Sequence, residues 1–145
     1  MAFGYGVRFR KDPRKEKYEG LSWAQCLAKS HSVTLSVYRC TKDFPREETY
    51  GMTSQMRRCS SSVAANIAEG CGRRGNLEFV RFLGMAMGSA SELEYFLLLA
   101  RDLEYLDPGA HTVLAKDVGL MRRMLNALIS KIQDEHPRRE VRAKC

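Results

Sequence analysis

The feature that most constrains this chain is a five-residue glycine-arginine turn, Cys71-Gly72-Arg73-Arg74-Gly75, set between two long stretches of one helical period. Before it, apolar side chains recur at Met52, Met56, Cys59, Val63 and Ile67, in steps of 4, 3, 4 and 4. After it the same face carries Val80, Leu83, Met87, Ala90, Leu93 or Glu94, and Leu97, again in steps of 3 and 4. That spacing marks one face of an α-helix. Asn76 is the expected N-cap of the second helix, and Asn66 to Gly70 leads the first to a glycine stop. A link this short makes the two helices an antiparallel pair. With Arg73 at its centre, the pair sets Ser61, Ser62, Ala64, Ala65 and Ala68 near Val80 to Gly88. Gly84 and Gly88 form a small-xxx-small face, expected to serve close helix packing; Arg81 and its charged neighbours argue against lipid.

Two further helices follow from the flanks. The first is expected from Ser22, a plausible N-cap, to Lys42, with Trp23, Leu27, Val33, Val37, Cys40 and Phe44 on its apolar stripe and Pro45 as its stop. Residues 45–51 then cross the end of the bundle. The third helix is expected to run from Asn76 to Leu106, 31 residues or about 46 Å at 1.5 Å per residue. Asp107-Pro108 opens the fourth, with stripe Leu114, Val118, Met121, Leu125, Leu128 and Ile132, and Pro137 ends it. No segment reads as a strand. The expected fold is all-α, an antiparallel up-down four-helix bundle over residues 21–135. From Leu93 to Leu99 the third helix is apolar on more than one face, which a lone bundle would leave exposed, so a homo-oligomer is expected.

Charge is distributed unevenly. The chain has 145 residues, the length of one domain, and a net charge of +7. Residues 1–20 hold six basic and three acidic side chains, and residues 136–145 hold four and one. The stretch 21–135 holds fourteen and thirteen. The excess therefore sits in a basic N-terminal arm and a basic C-terminal tail. In the arm, Arg8, Arg10, Lys11, Arg14 and Lys15 interleave with or follow Phe3, Tyr5 and Phe9, a pattern suited to phosphates and stacked bases. The opening residues have no apolar signal-peptide core, and the longest hydrophobic run, Tyr95 to Ala100, is far short of a membrane span. The expected setting is the cytoplasm, away from membranes. The five cysteines form no C-x-x-C pair, and Cys26, Cys40 and Cys59 fall on or near apolar faces, so they are read as reduced core residues.

The middle of the chain resembles a known family. Gln55, Arg58, the run Asn66-Ile67-Ala68-Glu69-Gly70, then Phe82, Ala86, Gly88, Ser89, Glu92 and Leu93 match the pattern of the four-helix-bundle family of bacterial rRNA intervening-sequence proteins. The accessory variability determinants (Avd) of diversity-generating retroelements are similar to that family. The likeness spans roughly residues 20 to 133. It implies a pentameric barrel of antiparallel bundles. For the retroelement members it implies binding to nucleic acid and to a reverse transcriptase, in support of complementary-DNA synthesis from a template RNA.

The chemistry on offer is electrostatic. Gly70-Cys71-Gly72-Arg73-Arg74-Gly75 spells G-x-G-x-x-G, but a helix precedes it and no βαβ unit exists, so it is not a dinucleotide loop. His31, His111 and His136 lack the Glu-x-x-His spacing of di-iron bundles, and no catalytic motif is present. No cofactor or metal is expected. Arg58, Asn66, Glu69, Arg81, Ser89 and Glu92 are expected to form a structural polar layer between the middle helices, Arg58 with Glu92 and Glu69 with Arg81 or Arg73. The expected phosphate contacts are the arm, the tail residues Arg138, Arg139, Arg142 and Lys144, and the pairs Arg73-Arg74 and Arg122-Arg123. Three readings follow. One is a non-enzymatic, basic homo-oligomer that binds RNA or DNA, with a reverse transcriptase as possible partner. A second is a scaffold of the intervening-sequence type without specific nucleic-acid binding. A third is an enzyme built on Asn66, Glu69 and Arg81, which needs a concave pocket around Glu69.

Overall fold

The computed structural model describes residues 21–135. Helix α1 spans Trp23–Cys40, α2 Met52–Gly72, α3 Asn76–Asp102 and α4 Pro108–Glu135. No strand occurs among the described residues. Each helix packs on the next in sequence, and α4 closes on α1, which makes an up-down four-helix bundle. No described helix is long and apolar enough to cross a membrane.

Local chemistry sets the ends. The Ser22 hydroxyl accepts from the Gln25 N–H at 3.3 Å while the Gln25 side chain accepts from the Ser22 N–H at 2.8 Å, a reciprocal cap that starts α1. The helix stops at Cys40, short of the expected Lys42. A 3₁₀ turn, Thr41–Asp43, follows and carries Phe44 into the core beside Tyr105, with ring centroids 5.8 Å apart. A second 3₁₀ turn, Arg46–Glu48, brings Glu48 to accept from the Met52 N–H at 2.9 Å and so cap α2.

At the hairpin the expected ends shift. Helix α2 continues through Gly70 to Gly72, so only Arg73, Arg74 and Gly75 link the pair. The N-cap of α3 is Gly75, at φ 93°, and Asn76 is already helical. Gly70 is not a stop. It is a point of close approach, where an added Cβ would lie 2.8 Å from the Phe82 Cβ and 2.9 Å from the Phe79 ring. Gly70→Ala is therefore expected to lower stability by about 1–3 kcal/mol through overpacking. Intrinsic propensity argues the other way, since Ala favours a helix interior by about 1 kcal/mol over Gly. Thermal unfolding decides the sign, and an unchanged or raised Tm would show that α2 and α3 sit further apart.

Helix α3 ends at Asp102, not Leu106. Glu104 takes a left-handed φ of 61°, and the Tyr105 and Leu106 N–H groups both turn back to the Ala100 carbonyl. Asp107 then accepts from the Ala110 N–H at 3.1 Å and opens α4 behind Pro108.

The core follows the helical periods. The five expected α2 positions and the six expected α4 positions are all buried. On α1 the buried set is Cys26, Ser30, Val33 and Val37, with Trp23, Leu27 and Cys40 packed at its margin. On α3, Phe79, Phe82 and Ala86 join Leu83, Ala90, Leu93 and Leu97 inside, while Val80 and Met87 are only partly covered. Burying each large aliphatic or aromatic side chain contributes about 1.5–3 kcal/mol.

Gly84 and Gly88 do not pack against α2. Both are exposed, and a Cβ on either would meet nothing within 4 Å. The small face of α3 points outward because Phe79, Leu83, Ala86 and Ala90 occupy the inward face.

Candidate nucleic-acid interface

An up-down bundle of four helices puts its two chain ends and its middle hairpin at one pole. The start of α1 at Trp23, the Arg73-Arg74-Gly75 link and the end of α4 at Glu135 share that pole. The α1–α2 and α3–α4 connections share the other. The arm 1–20 and tail 136–145, with Arg8, Arg10, Lys11, Arg14, Lys15, Arg138, Arg139, Arg142 and Lys144, lie outside the described residues. They attach at the hairpin pole. The opposite pole, residues 41–51 and 101–108, carries three basic and six acidic side chains. Chain topology thus attaches both basic extensions at one end of the bundle.

At the tip, Arg73 lies 5.2 Å over the Phe82 ring and pairs with Glu69 one turn earlier. Arg74 is exposed beside it. Arg122 and Arg123 divide as adjacent helical residues must. Arg123 is exposed, whereas Arg122 reaches across to Glu94 and ties α4 to α3. The structure thus gives Arg122 an interhelical carboxylate where the sequence suggests a phosphate contact.

The polar layer forms, with different partners in part. Arg58 meets Glu92 at 3.8 Å, as expected, and the pair is largely solvated. Glu69 takes Arg73. Arg81 turns to Glu78 at 3.5 Å, not to Glu69. Asn66 and Ser89 converge on Ser62. The Asn66 amide donates to the Ser62 carbonyl at 2.9 Å, and the Ser89 and Ser62 hydroxyls lie 3.0 Å apart. These cross-pairs put the centre of the hairpin near Gly75, two residues beyond Arg73.

Sequence spacing does not reveal two further ties. Lys29 pairs with Asp117 at 2.5 Å and joins α1 to α4. Arg57 donates to the Thr41 hydroxyl at 2.9 Å and lies 4.8 Å over the Tyr38 ring. Each spans two elements, and only the fold brings them together.

Burial pushes the Cys26 thiol up to about 11 and the Cys59 thiol up to about 12, and raises Cys40 in the same direction. Such thiols stay protonated near neutrality and pack as small apolar groups. A shallow cleft of about 470 Å³ opens between α1 and α4, walled by Ser36, Arg39, Val113, Leu114 and Asp117. None of Asn66, Glu69 and Arg81 lines it.

Comparison with known proteins agrees with this architecture. The model of the 23S rRNA-intervening sequence protein family matches residues 24–127. The chain belongs to that family. Among solved structures, the chain is similar to a protein of unknown function of the S23 ribosomal protein family from Bacteroides thetaiotaomicron. The two are 22% identical with a TM-score of 0.69, over 74% of this chain and 97% of that one. That likeness is one of fold. No curated protein matches the chain. The matched residues take in α2, α3, nearly all of α1 and most of α4, and exclude both basic extensions, so the family's shared part lies in the bundle.

Proposed function

We propose that this rRNA-intervening-sequence-family protein is a non-enzymatic, basic homo-oligomer that binds nucleic acid through its hairpin pole. One observation carries the reading: the topology attaches both basic extensions at the pole where Arg73 and Arg74 stand, while the opposite pole has an acidic excess. Clustered cations bind phosphates without sequence preference and without a built pocket. Oligomerisation repeats that cluster in every copy. In its finer form, following the resemblance to retroelement accessory proteins, the oligomer is a pentameric barrel. It serves a reverse transcriptase in making complementary DNA from a template RNA, in the cytoplasm.

Replacing Arg138, Arg139, Arg142 and Lys144 by Ala tests the reading. Binding to a labelled single-stranded RNA should weaken, and its salt dependence should flatten by a log–log slope of about 3, since each phosphate contact on single strands contributes about 0.7. Unchanged affinity and slope would remove the tail from the interface.

A further inference from the structure

The groove between α1 and α4 has one apolar wall and one small polar wall. Along α4, Val113, Leu120 and Met124 recur at steps of 7 and 4, so one helix face carries them. Val113 is 64% exposed and Leu120 40%, and Met124 is half-buried. Asp117, between them on that face, reaches Lys29 at 2.5 Å, so the face looks toward α1. Helix α1 answers with Gln25, Ser32 and Ser36, which share the Lys29 face at steps of 4, 3 and 4. Lys29 and Asp117 neutralise each other and leave the groove without net charge at its centre. At its far end lies the shallow cleft of about 470 Å³, lined by Val113 and Leu114.

The N-terminal arm carries a matching edge. Apolar residues alternate at Phe3, Tyr5, Val7 and Phe9, with Gly4, Gly6 and Arg8 between them and Arg10 next. In an extended chain successive side chains point to opposite sides, so these four share one edge. Aromatic side chains each bury about 150–250 Å² against a surface that fits them. We infer that residues 3–9 dock in the α1–α4 groove of their own chain, aromatic edge inward, with Phe9 toward Met124 and Phe3 toward Val113.

Length, reach and charge agree on this occupant. Phe3 to Phe9 covers about 20 Å when extended, and Val113 to Met124 about 17 Å of helix. The arm joins α1 beside Leu21, at the pole where α4 ends. Met124 and Val113 stand 11 and 22 residues before Glu135, the end of α4, which is about 17 and 33 Å along the helix. Phe9 and Phe3 stand 12 and 18 residues before Leu21, a reach of about 40 and 59 Å. Both positions are therefore within reach. The tail 136–145 has no aromatic residue and cannot supply such an edge. Residues 1–20, with six basic and three acidic side chains, are repelled by Arg73, Arg74 and the tail, and drawn along the flank toward the acidic excess of the far pole. With the aromatics inward, Arg8 and Arg10 fall on the outer edge, open to a polyanion. The docking thus goes beyond the nucleic-acid reading and does not depend on it.

Methyl resonances of the full chain test the docking. Nuclear Overhauser contacts should join the rings of Phe3, Tyr5 and Phe9 to the methyls of Val113, Leu120 and Met124 within one chain. The triple variant Phe3→Ser, Tyr5→Ser and Phe9→Ser should lose those contacts and shift those methyls, because the ring currents are gone. The methyls of Val63 and Ile67, fully buried in the core, should stay in place. Val113→Lys with Leu120→Lys, both at exposed positions, should keep the helical content and lose the ring contacts to Met124. Groove methyls that do not move when the aromatics are removed would overturn the docking. So would a folded lysine variant that keeps its ring contacts to Met124, or contacts found only between differently labelled copies.

Discussion

Ile67→Asp is expected to unfold the bundle. Ile67 is fully buried in the middle run of α2, on the stripe it shares with Met56 and Val63. Truncating such a side chain costs about 2–5 kcal/mol, and placing a carboxylate in the space adds several more. The sum, on the order of 5 kcal/mol or above, approaches the whole stability of a typical domain of about 5–15 kcal/mol. Circular dichroism at 25 °C should show the helical signal collapsed. Ile67→Val, which keeps shape and polarity, should cost only about 0.5–1.5 kcal/mol and remain folded. A helical, cooperatively melting Asp variant would mean that this face of α2 does not point inward.

The second large effect concerns binding, and it separates polarity from net charge. Replacing Arg73, Arg74, Arg138, Arg139, Arg142 and Lys144 by Ala removes two cations of the hairpin tip and the four of the tail that attaches at that pole. By counterion release, losing six single-strand phosphate contacts costs on the order of 10³ in affinity at physiological salt. The control removes four cations, Arg39, Lys42, Arg46 and Arg101, which are exposed at the opposite pole. That variant should keep its affinity within a few-fold, since screening over about 8 Å isolates one pole from the other. Equal losses per charge removed would mean that RNA reads the total charge and the poles do not matter.

Much of the bundle is legible in the sequence, because helical period and capping are local. The α2 and α4 stripes can be read residue by residue, since Met52 to Ile67 and Leu114 to Ile132 each have one apolar face. Helix α3 is harder for the opposite reason. Apolar and small residues surround it, so periodicity identifies faces but cannot rank them. Phe79 and Phe82 take the interior that Val80 and Met87 were expected to fill, and Gly84 and Gly88 are left outside. The overlong α3 has a similar cause. Nothing in Leu103-Glu104-Tyr105 forbids a helix, and the turn is made by the left-handed Glu104 and by Tyr105 packing on Phe44 from another part of the chain.

Side-chain pairing was legible only where it is short-range or symmetric about the hairpin. Arg73 with Glu69 and Arg58 with Glu92 follow from helical spacing and register. Arg81 chose the nearer Glu78, one turn away on its own helix. Arg122 with Glu94 depends on how α4 lies across α3, which no local pattern encodes. The attachment of both basic extensions at one pole needs only the order of four helices and the positions of the charges. The sequence contains it in full, but it emerges when the chain is laid out in space.

The most direct measurement of the central claim is binding of a labelled single-stranded RNA to the whole chain between about 50 and 300 mM salt. Six phosphate contacts predict a log–log slope of about −4 to −5, with binding still measurable near 150 mM. Binding that vanishes by 150 mM would contradict the claim. The basic pole would then be a bystander surface, and the oligomer a scaffold for a protein partner.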